Sequence, residues 1–277
     1  ETRYDDLTTN TALASVEFPS GDSVSLGNAS NICMGCHQGR SSKVQVDDAT
    51  PNGTVQTPTD YDSYNFINIH YYAAAASFFG TEVQGGYEYA TDTGGGALTY
   101  RGQNNFVGLH TSDGRTLSDC IGCHMNSSDD AGSKQKHTFL PAVQDCNLCH
   151  SGDSFEDLSG SPSDNHIEIG LLLDDLYGAI LDYAQNGLPQ SSPVYYDSAA
   201  YPYWFKDNGI GSNYGNRYTD FDFDMLTAAY NYQVALKDPA GYIHNGTYIE
   251  QLLFDSTCLM GGTPRVVTVP GRGGTCP

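Results

Sequence analysis

Hydrophobic periodicity is clearest toward the C-terminal end of the chain. An apolar stripe with the spacing i, i+3, i+4, i+7 and i+11 predicts an amphipathic helix that reaches about Tyr183; it consists of Ile169, Leu172, Leu173, Leu176 and Ile180. A second helix is predicted over residues 224–237, where Pro239 stops it. A third is predicted to begin near Asn245.

The first part of the chain lacks such long periodic segments. Residues 1–165 are rich in Gly, Ser, Thr, Asn and Asp, which predicts loops and short helices. One short helix is predicted to end at Gly80. At helical spacing, one of its faces would be formed by His70, Ala73, Ala74 and Ser77. A hairpin is predicted around the glycine turn at residues 94–96, and a loop is predicted over residues 187–219.

These patterns predict a fold class of mostly irregular coil with short α-helices and little β-structure. We expect residues 1–165 to form one region and residues 166–277 to form a helical region packed on it.

Composition narrows the possible partners and raises a question about the core. Acidic residues outnumber basic ones 33 to 12, and the formal net charge of −21 excludes nucleic acid, whose phosphates require clustered Lys and Arg. No apolar run approaches the roughly 20 residues of a bilayer span. No signal peptide is recognisable, so an exported protein would be in its mature form.

The chain is only 39% hydrophobic but has 20 Tyr, which predicts that another group contributes to the interior.

The cysteines identify that group. Six of the eight cysteines form three Cys-x-x-Cys pairs, each followed at once by histidine. This is the attachment signature of c-type haem, in which two thiols bind the porphyrin and the histidine supplies an axial nitrogen to the iron. We predict three haems, held by Cys33 and Cys36, Cys120 and Cys123, and Cys146 and Cys149, with His37, His124 and His150 as iron ligands.

Two other readings of the pairs fit less well. Structural zinc takes its ligands in fours, so three pairs match it poorly, and it requires no histidine after each pair. A thioredoxin-like redox motif normally occurs once, at a turn between a strand and a helix.

Two further cysteines and a cluster of three aspartates in the C-terminal region could form a disulfide and a calcium site. Cys258 and Cys276 have no neighbouring histidine and are predicted to form a disulfide in an oxidising compartment, with two free thiols as the alternative. Calcium at Asp220, Asp222 and Asp224 is disfavoured because the rest of an EF-hand loop is missing. A solvated acidic helix cap is the favoured interpretation.

Each six-coordinate iron also needs a second axial ligand. Histidine is favoured over methionine, because two of the four methionines lie beside haem motifs. We predict His70, His110 and His137; His137 lies in the 21-residue linker between His124 and Cys146, which also predicts that the second and third haems are close. His166 and His244 are then surplus. His244 could cap a helix, pair with a propionate or simply pack, and either histidine could ligate the haem of a neighbouring subunit.

Several segments resemble exported multihaem c-type cytochromes of metal-reducing bacteria, including those that form extracellular filaments. The similar segments are residues 33–40, 68–74, 80–89, 228–233, 237–245 and 251–256, together with Tyr248. The resemblance implies extracellular electron transfer and supports His70, His110 and His137 as distal ligands. It also has a histidine at the position of His244.

The functional expectation is therefore an electron carrier and not an enzyme. We expect three bis-histidine haems to pass electrons outside the cell, in a self-associating filament, with other redox proteins or extracellular metals as partners. A monomeric periplasmic shuttle and a multihaem reductase with one open iron are the alternatives. Five candidate histidines for three distal positions argue against an open iron.

Overall fold

Long irregular segments separate the helices in this computed structural model. The structure describes residues 13–51, 63–70, 72–104, 119–125, 141, 165–187 and 192–277, and the backbone of residues 111–112 and 115–116. Its helices are α1 (Ser30–His37), α2 (Lys43–Ala49), α3 (Ala74–Phe79), α4 (Cys120–His124), α5 (Asn165–Asp182), α6 (Phe223–Lys237) and α7 (Gly241–Leu259). Coil and helix dominate, as predicted.

The strands of the described residues are short and form antiparallel pairs. They are β1 (Val16–Glu17), β2 (Ser23–Val24), β3 (Thr111–Ser112), β4 (Arg115–Thr116), β5 (Val194–Tyr196) and β6 (Trp204–Lys206). The pairs are β1 with β2, β3 with β4, and β5 with β6. The β5–β6 pair lies inside the segment that was predicted to be a loop, because the period-2 signal of three-residue strands is too short to recognise.

The three predicted C-terminal helices are confirmed as α5, α6 and α7. The stripe on α5 is buried, with Leu172, Leu176 and Ile180 fully inaccessible. Helix α7 begins one turn earlier than predicted and is interrupted at Asn245, whose backbone is not helical (φ −167°, ψ 71°). The Asn245 side-chain oxygen accepts the N–H of Tyr248 at 3.4 Å, so the long part of α7 begins there with its own cap.

Aromatic side chains form much of the protein core around α5, α6 and α7. Helices α5, α6 and α7 pack against one another, and α3 packs on α7. Trp204 is completely buried and has an edge-to-face contact with Tyr196 at 5.2 Å and a tilted contact with Tyr232 at 5.8 Å. Burial of such large rings supplies much of the apolar area that the few aliphatic residues do not. Haem is therefore not the only source of interior bulk.

The glycine-rich segment before Tyr87 passes between α3 and the C-terminal helices. Asn231 of α6 accepts the N–H of Tyr87 at 2.6 Å and donates to its carbonyl at 2.9 Å. A Cβ at Gly86 would overlap the buried side chain of Leu252 on α7, which would have to move, so this close approach favours glycine. These contacts fasten the N-terminal segments to the helical region.

A second, smaller core holds the first cysteine motif in place. Met34 of α1 is completely buried among Phe18, Phe79 and Val83. Because Met34 is one of the two residues between Cys33 and Cys36, its burial fixes the face of α1 that carries the motif.

Two further predictions are corrected or only partly confirmed. The short helix does end at Gly80, but it begins at Ala74, so His70 precedes it and does not share its face. His70 has a positive φ of 77°, which is incompatible with a right-handed helix at that position. The predicted hairpin around residues 94–96 is a tight turn with one isolated bridge between Thr91 and Ala97. No helix among the described residues is long and apolar enough to cross a membrane.

Candidate haem-binding site

Two of the three cysteine motifs lie within the described residues, and both are helical. The first occupies the end of α1, and the second is the whole of α4. On a helix, positions i, i+3 and i+4 share one face, so two thiols and the following imidazole point to the same side. This is the arrangement that thioether attachment and axial ligation of one haem require.

The two motif helices are joined at their N-termini by hydrogen bonds. One carboxylate oxygen of Asp119 caps α4 by accepting the N–H of Gly122 at 2.7 Å. Its other oxygen accepts the amide of Asn28, just before α1, at 2.6 Å. The hydroxyl of Ser30 accepts the N–H of Ile121 at 3.1 Å. The first two motifs are therefore neighbours in space although they are far apart in sequence.

The same junction brings the first cysteine of each motif into contact. A hydrogen bond from Cys120 lowers the pKa of the Cys33 thiol to about 7. Cys36 is exposed, and Cys123 is half-buried.

His37 is oriented as an axial ligand needs to be. Its Nδ1 lies 2.7 Å from the carbonyl oxygen of Tyr72. A carbonyl only accepts, so Nδ1 carries the hydrogen and Nε2 has the lone pair that binds a metal. Metal-ligating histidines are commonly fixed in this way by a backbone carbonyl.

His70 lies on the segment that runs beside the first motif. The N–H of Arg40 donates to the carbonyl of Ile69 at 2.9 Å, and the N–H of His70 donates to the side chain of Asn68 at 2.7 Å. Burial lowers the pKa of His70, and repulsion from Arg40 and Lys237 lowers it further. Both effects favour the neutral imidazole, which is the form that ligates iron.

A cavity of about 450 Å³ lies next to this segment. Its walls are formed by Tyr72, Leu236, Lys237 and Pro239. Apolar walls with one cation suit a flat porphyrin whose propionates are negatively charged. Tyr72, whose carbonyl accepts from His37, also lines this cavity, so the cavity lies close to the first motif.

The structure places His244, unassigned from sequence, beside the second motif. The ring centres of His124 and His244 are 6.3 Å apart, with a 32° angle between the planes. Nδ1 of His244 lies 2.8 and 2.9 Å from the two carboxylate oxygens of Asp238. The signal that sequence offered was the pair of an acid and a histidine flanking the Pro-Ala-Gly turn at residues 239–241. His166 is exposed and contacts the edge of Tyr242 at 4.7 Å.

The remaining predicted ligands lie outside the described residues. These are His110, His137, Cys146, Cys149 and His150. The number of haems and the ligation of iron by the predicted histidines, His70 included, stay predictions.

The acidic triplet has structural roles. Asp222 caps α6 by accepting the N–H of Met225 at 2.8 Å, and Asp220 pairs with Lys206 at 3.0 Å. Asp222 is 8% exposed, so this cap is buried and not solvated. Across the described ranges, no three His, Cys, Asp or Glu side chains are grouped so that they would hold a bare metal ion.

Paired thiols and an imidazole on one face of each of two contacting helices define the donor set of a multihaem c-type cytochrome. Comparison with known proteins agrees. The chain is 29% identical over 256 residues to the C-type polyheme cytochrome OmcC of Geobacter sulfurreducens strain ATCC 51573, a match that covers 82% of this chain and 29% of OmcC. The C-type polyheme cytochrome OmcB of the same species is likewise 29% identical, over 82% of this chain and 30% of OmcB.

These relatives confirm the predicted resemblance to multihaem cytochromes of metal-reducing bacteria and support c-type haem as the cofactor. The chain spans less than a third of the length of the curated relatives it matches. No protein-family model matches the chain, and no solved structure matches it significantly.

Proposed function

We propose that the chain carries electrons through three bis-histidine c-type haems and catalyses no reaction. The observation that carries the proposal is the junction of α1 and α4, which makes two haem motifs neighbours. Electron transfer between cofactors weakens steeply with distance, so contacting motif helices favour transfer from one haem to the next. Bound haem supplies a redox-active iron at each motif.

The protein's contribution is to hold and orient the axial imidazoles. His37 and His124 are the proximal ligands, and His150 has the same role in the third motif. His70, His110 and His137 are the distal ligands expected from sequence. Two imidazoles on each iron leave no position for a small substrate, which favours electron transfer over catalysis.

We further propose that the protein acts outside the cell as a subunit of a cytochrome filament. The resemblance supports this, and so do the exposed aromatic rings of Tyr201 and Tyr214, which stack on each other with centres 6.4 Å apart. Exposed aromatic residues are enriched at protein interfaces. The net charge of −21 favours cationic or metal partners.

Spectroscopy and microscopy of the natively matured protein test the two parts separately. The electron-carrier proposal predicts that every ferric haem is low-spin and that the reduced protein does not bind carbon monoxide. A high-spin haem or clear binding of nitrite in the resting protein would favour the reductase instead. Electron microscopy is expected to show filaments, whereas uniform monomers would favour the shuttle.

A further inference from the structure

The two described histidines of the second site are spaced as a ligand pair. Their ring centres are 6.3 Å apart. Two imidazoles that bind one metal from opposite sides, each through a bond of about 2.0 Å, have ring centres roughly 6 Å apart. Direct stacking of two rings would bring the centres closer than this. The spacing of His124 and His244 therefore leaves room for one iron between them.

Asp238 prepares His244 for this role. The side chains of Asp238 and His244 are 2% and 18% exposed. Because a carboxylate accepts, Nδ1 of His244 donates to Asp238, which leaves Nε2 as the ring nitrogen that a metal would use. A carboxylate behind a ligating imidazole both fixes the ring and makes it a stronger donor.

The backbone around His244 is also fixed. The side-chain amide of Asn104 donates to the carbonyl of His244 at 2.8 Å, and that of Asn245 donates to the carbonyl of Gly102 at 3.0 Å. The interruption of α7 at Asn245 separates the turn that carries His244 from the long helix. His244 thus lies on a short, anchored turn whose direction is set independently of the rest of α7.

We infer that His244 is the distal ligand of the haem attached at Cys120 and Cys123, and that Asp238 is its positioning residue. This rests on the proposed function, because it requires haem at the second motif. If His244 takes this position, only two of the three histidines predicted from sequence (His70, His110 and His137) are needed as distal ligands within the chain. It also explains why a histidine follows the Lys-Asp-Pro-Ala-Gly-Tyr-Ile segment at residues 237–243.

The first test is His244→Ala in the full, matured chain. One haem of the three is expected to become high-spin in the ferric state and to bind carbon monoxide in the ferrous state. Added imidazole is expected to restore the low-spin spectrum, which shows that the pocket is intact. His166→Ala is the matched control, and its haems should remain entirely low-spin.

Two milder variants keep the assignment testable if the alanine variant does not mature. His244→Met is expected to convert one haem to histidine–methionine ligation with a raised midpoint potential. Asp238→Asn is expected to stay low-spin but to raise the midpoint potential of one haem, because the imidazole becomes a weaker donor to ferric iron. An unchanged potential in Asp238→Asn would contradict the positioning role.

The outcomes separate this assignment from the proposed function. If the unaltered chain has low-spin haems and the His244 variants keep the same spectra and potentials, the assignment is wrong and the proposed function stands. If the unaltered chain carries no covalent haem, the proposed function itself is wrong.

Discussion

The buried ion pair between Asp255 and Arg272 provides a quantitative test of how the C-terminal tail is held. The guanidinium donates from Nε and Nη2 to the two carboxylate oxygens at 2.7 and 2.6 Å. The two side chains are 6% and 3% exposed. Tyr100 also donates to this carboxylate, at 2.5 Å. We consider the substitution Arg272→Met, which keeps the length of the side chain but removes its charge.

Removing one partner of a buried pair leaves the other charge without compensation. The expected loss of unfolding free energy is about 3–5 kcal/mol. Burial already raises the pKa of Asp255, and loss of Arg272 would raise it further. The carboxyl can then take up a proton, so the loss should be smaller at about pH 5 than at about pH 8.

Urea unfolding of the haem-loaded protein, followed by far-ultraviolet circular dichroism, measures this loss. Arg265→Met is the matched control, because Arg265 is 52% exposed and pairs with Asp175 at 2.6 Å; its loss should be below about 1 kcal/mol. The double variant Arg272→Met/Asp255→Leu should recover part of the loss. Equal losses for the two arginine variants, or no dependence on pH, would refute the reasoning.

Three further substitutions test other parts of the structure by the same unfolding measurement. Burial raises the pKa of Glu250 from its ordinary value of 4.5 to about 7. The folded state therefore binds the proton of Glu250 more tightly than the unfolded state, so stability is lost as pH rises from about 4.5 through 7. At about pH 8, Glu250→Gln should be more stable than the parent protein by at most about 3 kcal/mol. Equal stability of the two proteins at that pH would contradict this. Joint replacement of Cys258 and Cys276 by serine opens a disulfide that joins positions 18 residues apart and should cost about 3 kcal/mol; stability unchanged from the parent protein would contradict the loop-entropy argument. Gly86→Ala should cost about 1–3 kcal/mol, because the added carbon overlaps α7, whereas Gly273→Ala has open space and should change little; similar values for both would contradict the overlap.

Local signals predicted the features that depend on neighbouring residues. The apolar stripe predicted α5, and the proline after α6 predicted where that helix ends. Both signals are local, because a helix buries residues three and four positions apart and proline lacks the N–H that a helix needs. The absence of a histidine beside Cys258 and Cys276, together with an expected oxidising compartment, predicted the disulfide that the structure contains. The resemblance to multihaem cytochromes was carried by short motifs and is confirmed by the relatives.

Features that depend on distant residues were not predictable in the same way. The helix before Gly80 was extended too far toward His70, because the alanine-rich pattern does not show the positive φ values of 77° at His70 and 55° at Tyr72. The carbonyl of Tyr72 instead turns toward His37, a partner 35 residues away. No local sequence pattern indicates that contact.

The role of His244 shows the same limit in the functional site. Counting histidines left it surplus, because a count does not measure which imidazole reaches which motif. In the structure its ring centre lies 6.3 Å from that of His124, and its Nδ1 contacts Asp238. The contact with Asp238 is local to one turn of the chain, whereas the approach to His124 joins segments that are distant in sequence and that no local pattern connects.

The most direct test of the account is the intact mass of the natively matured chain, measured under denaturing conditions so that only covalently bound groups are retained. The account predicts the mass of the polypeptide plus three haems, one for each Cys-x-x-Cys-His motif. The mass of the bare polypeptide, or metal analysis that finds zinc in place of iron, would contradict it.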